Sequence, residues 1–520
     1  MDANGYRDFD GRSNNVENPE WGQAGESLLR LSPNAYADGI KAMTERGNKN
    51  PNPRIISNEI FRQTLPTELN RNGLSDFVWA WGQFIDHELD LTGVQKDEVV
   101  NIDVPHDDPI FDNLQNRRAE FIVPFSRSLS VSGTGTSKIN PRQQPNANSS
   151  YIDASMVYGS SKERADALRA FDGTGRLKTS ASDVGELLPY NIDSLENEDN
   201  NDPVRQRFFV AGDVRINEHV VLTSLHTLFV REHNRVCLDF VTCDPGLAGN
   251  DEAIYQQARK YVGGIIQSIT FNEFLPSLLG DDSISAYTGY NAKVNAGIAN
   301  EFSAVAFRLG HSMLSAEVML GENNRSIRLR DMFFKPYFIR LHGIEPILHG
   351  LNINRMQAVN TTVIEDVRSF LFGPPNPASR MLLDLVALNI QRGRDHGIAD
   401  FNTCRETFGL KRYKDFSDIT TDKTVADRLC DLYQDIDCID PWVGALAEDH
   451  VTGSNVGPLV FVILKDQFER IRDGDRFWYE NDDELTIEQK IEIESTRLSD
   501  IIRRNTDVSN ISDNVFVALS

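Results

Sequence analysis

The stretch WGQFIDHELD, residues 81–90, sets Gln83, Asp86, His87 and Asp90 among aromatic and aliphatic residues. An amide, two carboxylates and an imidazole on one surface can move a proton, hold a ligand or orient a small oxidant. At about 100° per residue the four fall in one stripe of a helix, and Phe77, Trp81, Phe84, Ile85 and Leu89 cover most of the rest. Such a stripe meets either solvent or an interior polar cavity. Glu88 is the misfit, since it falls on the apolar side, where a carboxylate is costly unless paired or bound to a cation.

A cation site is offered by SSYIDASMVYGS, residues 149–160, in which Ser149, Tyr151, Asp153 and Ser155 alternate. In an extended loop they turn side-chain or carbonyl oxygens toward one point. Hard oxygen donors from a loop, with Glu88 as one distant carboxylate, suit calcium, and an ordinary Ser/Asp turn is the alternative. In AGDVRINEHVVLTSLHTLFVREHNR, residues 211–235, Arg215 and Glu218 sit where a helix begins, with Asn217 as its expected N-cap. His226 and His233 share a face of that helix, but no third ligand stands at metal spacing, so they read as packing residues. EFSAVAFRLGHSML (301–314) places His311 where an imidazole could ligate an iron, and DLVALNIQRGRDHG (384–397) places Asn389 on another apolar helix. A buried amide needs a partner, and an imidazole N–H is a suitable one.

The elements that must position these groups are mostly helical. Helical periodicity is clear over 75–92, 217–240, 251–279, 296–315, 380–392 and 457–472, whereas strand-like alternation is scarce. Residues 1–50, rich in Gly, Asn and Pro, read as an irregular N-terminal arm packed on a domain spanning 51–520, and loop-like stretches fill 132–150 and 193–202. The expectation is a mainly α protein, one large helical domain with long loops and little β structure. A chain of 520 residues buries a substantial core. No run approaches the ~18 apolar residues of a membrane span, and the start MDANGYRDFDG lacks the basic and apolar regions of a signal peptide. A net charge of −24 argues against nucleic acid or anionic membrane as partner. Among five cysteines, Cys237 with Cys243 and Cys430 with Cys438 are close enough in sequence to pair, with Cys404 left single. Asn148, Asn324, Asn360 and Asn510 begin N-x-S/T triplets, acceptors for glycosylation in a eukaryotic secretory host.

WGQFIDHELDLT, DASMVYGS, AGDVRINE, LTSLHTLFVREHNR, AFRLGHS and NIQRGRDHG together resemble the successive signatures of the animal-type haem peroxidases, the peroxidase-cyclooxygenase superfamily. They stand in family order, and the similarity runs from about residue 6 to beyond FWYEN at 477–481. The resemblance implies haem b as cofactor. It makes His87 the distal acid–base, Arg215 the distal arginine and Gln83 the glutamine beside the distal water and halide position. It makes His311 the proximal iron ligand and Asn389 the amide that accepts its other N–H. Arg308 matches the arginine that pairs with a haem propionate, and Asp90 a carboxylate near one. Asp86 and Glu218 match the carboxylates that esterify haem methyl groups, and two unlinked acids at the haem edge are the alternative. Glu88, Ser149, Tyr151, Asp153 and Ser155 match a calcium site, although the family has Asp where this chain has Glu88.

Myeloperoxidase-like members carry a Met directly after the second ester carboxylate; His219 stands there, so a sulfonium link to haem is ruled out. The few cysteines, the arm and the bare ending suggest a bacterial or otherwise compact member, and a secreted or extracellular location is implied by the family. The implied activity is reduction of hydrogen peroxide with oxidation of iodide, bromide, thiocyanate or small phenolic donors. A fatty-acid dioxygenase of the same superfamily and a non-catalytic adhesion or matrix protein are the alternatives. The pairing of His87 with Arg215 favours the peroxidase.

Overall fold

The structure is a computed structural model that describes residues 5–63, 68–110, 121–198, 202, 204–321, 325–373 and 381–519. Helices dominate it, as the periodicity predicts. The described strands form three two-stranded antiparallel pairs: Val94–Val99 with Ser126–Ser128, Ile102–Asp103 with Ile122–Val123, and Glu317–Met319 with Ser326–Arg328.

At the centre lies the long helix Val220–Cys243. Apart from His226 its first three turns are apolar or small all round, and no residue from Val220 to Val230 is exposed. It packs against the aromatic helix Phe77–Leu89 and against the helix Asp251–Ile269. Phe84 stacks on Phe229 with centroids 5.3 Å apart, and Trp81 tilts against both at 5.4 and 5.7 Å. Burying such side chains contributes roughly 2–3 kcal/mol each, which fixes the aromatic helix in position and rotation. The sequence range 251–279 does not run as one regular helix: a π segment, Thr270–Phe274, precedes Leu275–Leu279. Pro276 has no N–H to return to the preceding turn, and the wider turn absorbs that loss.

The range 296–315 departs further from expectation. It breaks into Asn300–Ala304, a 3₁₀ turn Ala306–Leu309 and Gly310–Met313, with the break at Val305 (φ −126°, ψ −77°). Phe302 and Phe307 stack across the break at 4.6 Å and both pack edge-on to Phe468 of the helix Pro458–Asp473. Packing therefore overrides the periodicity here.

Between residues 5 and 50 the chain forms no helix and lies along the domain. Arg7 makes paired contacts of 2.8 and 2.6 Å to Asp475, and Asn14 donates to the same carboxylate at 2.8 Å. All five cysteines are free, which corrects the pairing that sequence proximity allowed. Cys237 and Cys404 are buried in separate parts of the core. Asn148 is buried as well and donates to the carbonyl of His87 at 2.7 Å, so its triplet is a structural contact rather than a sugar acceptor. Asn324 lies outside the described residues. No described helix is long and apolar enough to cross a membrane.

Candidate active site

The polar stripe of the aromatic helix faces inward. Gln83, Asp86 and His87 line a cavity of about 250 Å³, together with Arg215 and Glu218 on one side and Arg308 and His311 on the other. Phe274, Leu309, Met313, Phe333 and Leu371 complete its apolar wall. Asp90 is buried beside this group but does not line the cavity; it ends the helix, and its carbonyl accepts from Arg215 Nη2 at 2.9 Å.

Arg215 reaches the cavity because the segment before it lies hard against the short helix Ser155–Tyr158. Asp213 N–H donates to Met156 O and Gly212 N–H to Val157 O, at 3.0 and 3.1 Å. A Cβ on Gly212 would sit 2.2 Å from the carbonyl oxygen of Ser155, so only glycine permits that approach. Asp213 then holds the guanidinium: Nε is 3.0 Å and Nη2 2.7 Å from its carboxylate oxygens. Arg215 Nη2 also reaches the carbonyls of His87 and Asp90, and with Asn146 and Asn148, which donate to Leu89 O and His87 O, it satisfies the C-terminal end of the aromatic helix. Arg215 is pushed above its ordinary value by Asp213, against the opposing effect of burial, and Asp213 is held well below the usual carboxylate range by Arg215 and His87.

His87 is almost wholly buried. Its Nδ1 lies 3.6 Å from Asp213 Oδ1 without a hydrogen-bond partner, and its Nε2 is 4.0 Å from Glu218 Oε2. Burial and the neighbouring Arg215 drive its pKa well below the ordinary value, so the ring is neutral. Two acids flank it. Burial and the nearby Asp90 raise Asp86 to about 7, and burial and Glu198 raise Glu218 to about 7.

On the opposite wall, His311 Nδ1 stands 2.7 Å from the Asn389 amide, and burial lowers the ring to about 3. The expected partner is present in the opposite orientation. Arg308 Nη1 donates to Asn389 Oδ1 at 3.0 Å, which leaves the amide Nδ2 rather than its oxygen facing the imidazole. Sequence spacing names both residues but cannot show that Arg308 competes for the amide oxygen.

The calcium candidates also converge. Glu88 is fully buried; its Oε1 accepts from the N–H groups of Asp153 and Ala154, and its Oε2 from Met156 N–H and Ser155 Oγ. Ser149 Oγ donates to Asp153 at 2.7 Å. Tyr151 departs from the group, because its hydroxyl donates to Trp21 O at 2.8 Å and only its main chain is left for the loop. Burial and Asp153 push Glu88 up to about 8, the mark of two carboxylates crowded together out of water. Among the described residues no three His, Cys, Asp or Glu side chains gather to hold a metal, so a cation here would depend on serine and carbonyl oxygens as well.

Asn217 is not the N-cap. Its amide is occupied by the backbone of Phe209, and the cap is His219, whose Nδ1 accepts from Leu222 N–H at 3.2 Å. His226 packs edge-on to Phe84, and His233 bonds Tyr158 and Gly175, so both are packing residues as read. Asp213 was absent from the sequence candidates; it reaches Arg215 through a turn, in which its carboxylate also accepts from Arg215 N–H at 2.7 Å.

Two imidazoles, two arginines and an apolar wall lining one cavity suit an anionic, iron-bearing ring. Residues 6–516 match the animal haem peroxidase family. The chain is 35% identical to peroxinectin A of Dictyostelium discoideum over 98% of this chain and 95% of that protein. It superposes on the structure of peroxidase A from Dictyostelium discoideum with a TM-score of 0.89 and 34% identity, covering 98% of this chain and 99% of that one. A fatty acid alpha-dioxygenase of Oryza sativa shares the fold alone, with a TM-score of 0.78 and 21% identity over 96% of this chain and 84% of that one. With a family match across nearly its whole length and a peroxidase as structural counterpart, the chain belongs to the animal haem peroxidase family and is a haem-dependent peroxidase.

Proposed function

We propose that the cavity reduces hydrogen peroxide and that iodide, bromide, thiocyanate or small phenols supply the electrons. The observation that carries this reading is a neutral, buried His87 beside an arginine whose charge is fixed by Asp213. Haem, when bound, supplies the redox centre that is oxidised by two electrons as peroxide is reduced. His87 takes the proton of one peroxide oxygen and returns it to the other as that oxygen leaves as water. Asp213, 3.6 Å from Nδ1, steadies the imidazolium between those two transfers. Arg215 meets the negative charge that builds on the departing oxygen, and it needs no reorganisation because Asp213 and two carbonyls already hold it.

His311 would ligate the iron, Arg308 and Asp90 would stand toward the propionates, and Asp86 and Glu218 would form the ester links. A carboxylate seated on Arg308 would compete for the N–H that now reaches Asn389 and free the amide oxygen for Nδ1–H of His311. Glu88, Ser149, Asp153, Ser155 and the Tyr151 carbonyl would hold calcium, relieving the repulsion between the two buried carboxylates; chelation should then lower the melting temperature and disturb the haem spectrum together. Secretion accords with the family.

Haem-loaded protein mixed with peroxide and each donor tests the reading. Iodide and thiocyanate should be good substrates, bromide moderate and chloride poor near neutral pH, because His219 cannot form the sulfonium link. Peroxide consumption with none of these donors oxidised would overturn the donor assignment. The dioxygenase alternative gains nothing from the fold match, and no observation in the cavity favours it.

A further inference from the structure

His219 occupies the position that myeloperoxidase-like members fill with a methionine, and here it joins two structures. It caps the long helix, accepting Leu222 N–H on Nδ1 at 3.2 Å. That bond requires Nδ1 to be the unprotonated nitrogen, so in the neutral ring the hydrogen resides on Nε2. Nε2 lies 2.7 Å from Gln83 Oε1, and the imidazole therefore donates to the glutamine oxygen. The ring has little freedom to do otherwise: Trp79 and Phe333 pack edge-on to it at 5.9 and 6.1 Å, and it is only 4% exposed. Burial lowers its pKa to about 4, which keeps it neutral through the physiological range.

With its oxygen taken, Gln83 must turn its amide nitrogen the other way. That nitrogen is left to Glu218, whose pKa the amide lowers, and to the cavity that Gln83 lines with His87 and Arg215. A freely rotating glutamine could offer oxygen or nitrogen to a ligand; this one is confined to offering hydrogen. We propose that His219 is a positioning residue that locks the Gln83 amide, so that the distal cavity presents N–H donors and selects small anions and lone-pair acceptors. This deepens the proposed oxidation of halides and thiocyanate and rests on the distal cavity placed there.

Fluoride binding to the ferric, haem-loaded protein tests it without turnover, since fluoride affinity and the visible charge-transfer band of the complex both report hydrogen-bond donation from the distal side. His219→Thr keeps a capping oxygen but is too short to reach Gln83. It should weaken fluoride about fivefold to tenfold, the loss of one hydrogen bond to an anion, and shift the charge-transfer band while leaving the unliganded spectrum in place. Gln83→Met should do the same, and His219→Thr added to Gln83→Met should cost nothing more, because the two act through one amide. A purely structural role for His219 would give additive losses. Equal fluoride affinity in wild type and His219→Thr, or additive effects in the double variant, would overturn the lock. If His219→Thr fails to load haem, His219→Asn, which also caps but falls short of Gln83, takes its place in the same cycle. A wild-type protein with no haem spectrum would instead sink the cavity assignment itself, so the two failures are distinguishable.

Discussion

The two imidazoles that face the cavity are held in opposite ways. His311 on one wall has its Nδ1 fixed at 2.7 Å by an amide that is itself gripped by Arg308. His87 on the other wall has an Nδ1 with no hydrogen-bond partner and only a distant carboxylate at 3.6 Å. His87 is buried and His311 half-buried, yet desolvation lowers the pKa of both and keeps both rings neutral, so protonation state does not distinguish them. The difference lies in what surrounds the second nitrogen. A ligand to a metal needs one tautomer and one orientation; the short bond to Asn389 fixes the orientation, and the tautomer follows once the amide turns its oxygen to Nδ1. A group that must gain and lose a proton in each cycle is better served by a nearby charge that stabilises its cation without pinning its neutral form.

The strongest way to break this comparison is to remove the fixed ring. His311→Ala should lose haem or leave a water-ligated, inactive form, because no other histidine reaches that wall of the cavity. Asn389→Ala should keep haem but move its reduction potential, as expected for a group that acts through the ligand. Wild-type spectra and turnover in His311→Ala would place the iron ligand elsewhere.

Removing the unpinned ring should leave binding intact and slow the chemistry. His87→Ala is expected to retain haem yet react with peroxide two or more orders of magnitude more slowly, the scale of lost acid–base catalysis. Rapid-mixing spectroscopy reads that rate directly, and an unchanged rate would refute the role. Because burial and Arg215 hold His87 well below its ordinary pKa, the wild-type rate should stay level as pH falls through about 6.5. A midpoint at the ordinary histidine value would show that the ring is not buried as described.

Asp213 sharpens the contrast from the side. Asp213→Asn keeps a hydrogen-bond acceptor for Arg215 but removes the charge that faces His87, and should lower the peroxide rate roughly tenfold, the scale of one unit of lost charge stabilisation of the imidazolium. An effect as large as that of His87→Ala would mean that the arginine had swung away, which haem-loaded spectra at matched pH would reveal.

Much of this was legible in the chain. The stripe of Gln83, Asp86 and His87 on the aromatic helix, the misplaced Glu88 and the Ser149 to Ser155 alternation follow from helical and extended periodicity, and the structure brings each set together. What was missed depends on partners far away in sequence. Asn217 fits an N-cap locally, but Phe209 claims its amide. His219 becomes both cap and donor only because the aromatic helix packs alongside and brings Gln83 to it. The Asn389 amide takes its orientation from Arg308, 81 residues away in sequence. The break at Val305 is imposed by Phe302 and Phe307 packing on Phe468. Local pattern fixes which residues are candidates, whereas the orientation of an amide or imidazole belongs to the assembled site.

The smallest expected effect concerns the two acids between the walls. Asp86 and Glu218 each titrate near 7 in the folded protein, whereas unfolded carboxyls titrate near 4. As pH rises from about 4, the unfolded chain ionises first and is favoured, so each acid costs the fold increasing stability until about pH 7, above which the cost is constant. Asp86→Asn or Glu218→Gln in haem-free protein should therefore stabilise the fold at pH 7 to 8 by roughly 1–2 kcal/mol each, a rise of about one to two degrees in melting temperature, and the gain should fade toward pH 4. Melting curves across that range decide the point. A gain that does not vary with pH would mean that packing rather than charge was relieved. A loss at neutral pH would mean that Arg215 and Arg308 already compensate both carboxylates, in which case the acids are stabilising anions and the cavity is less dry than their burial implies.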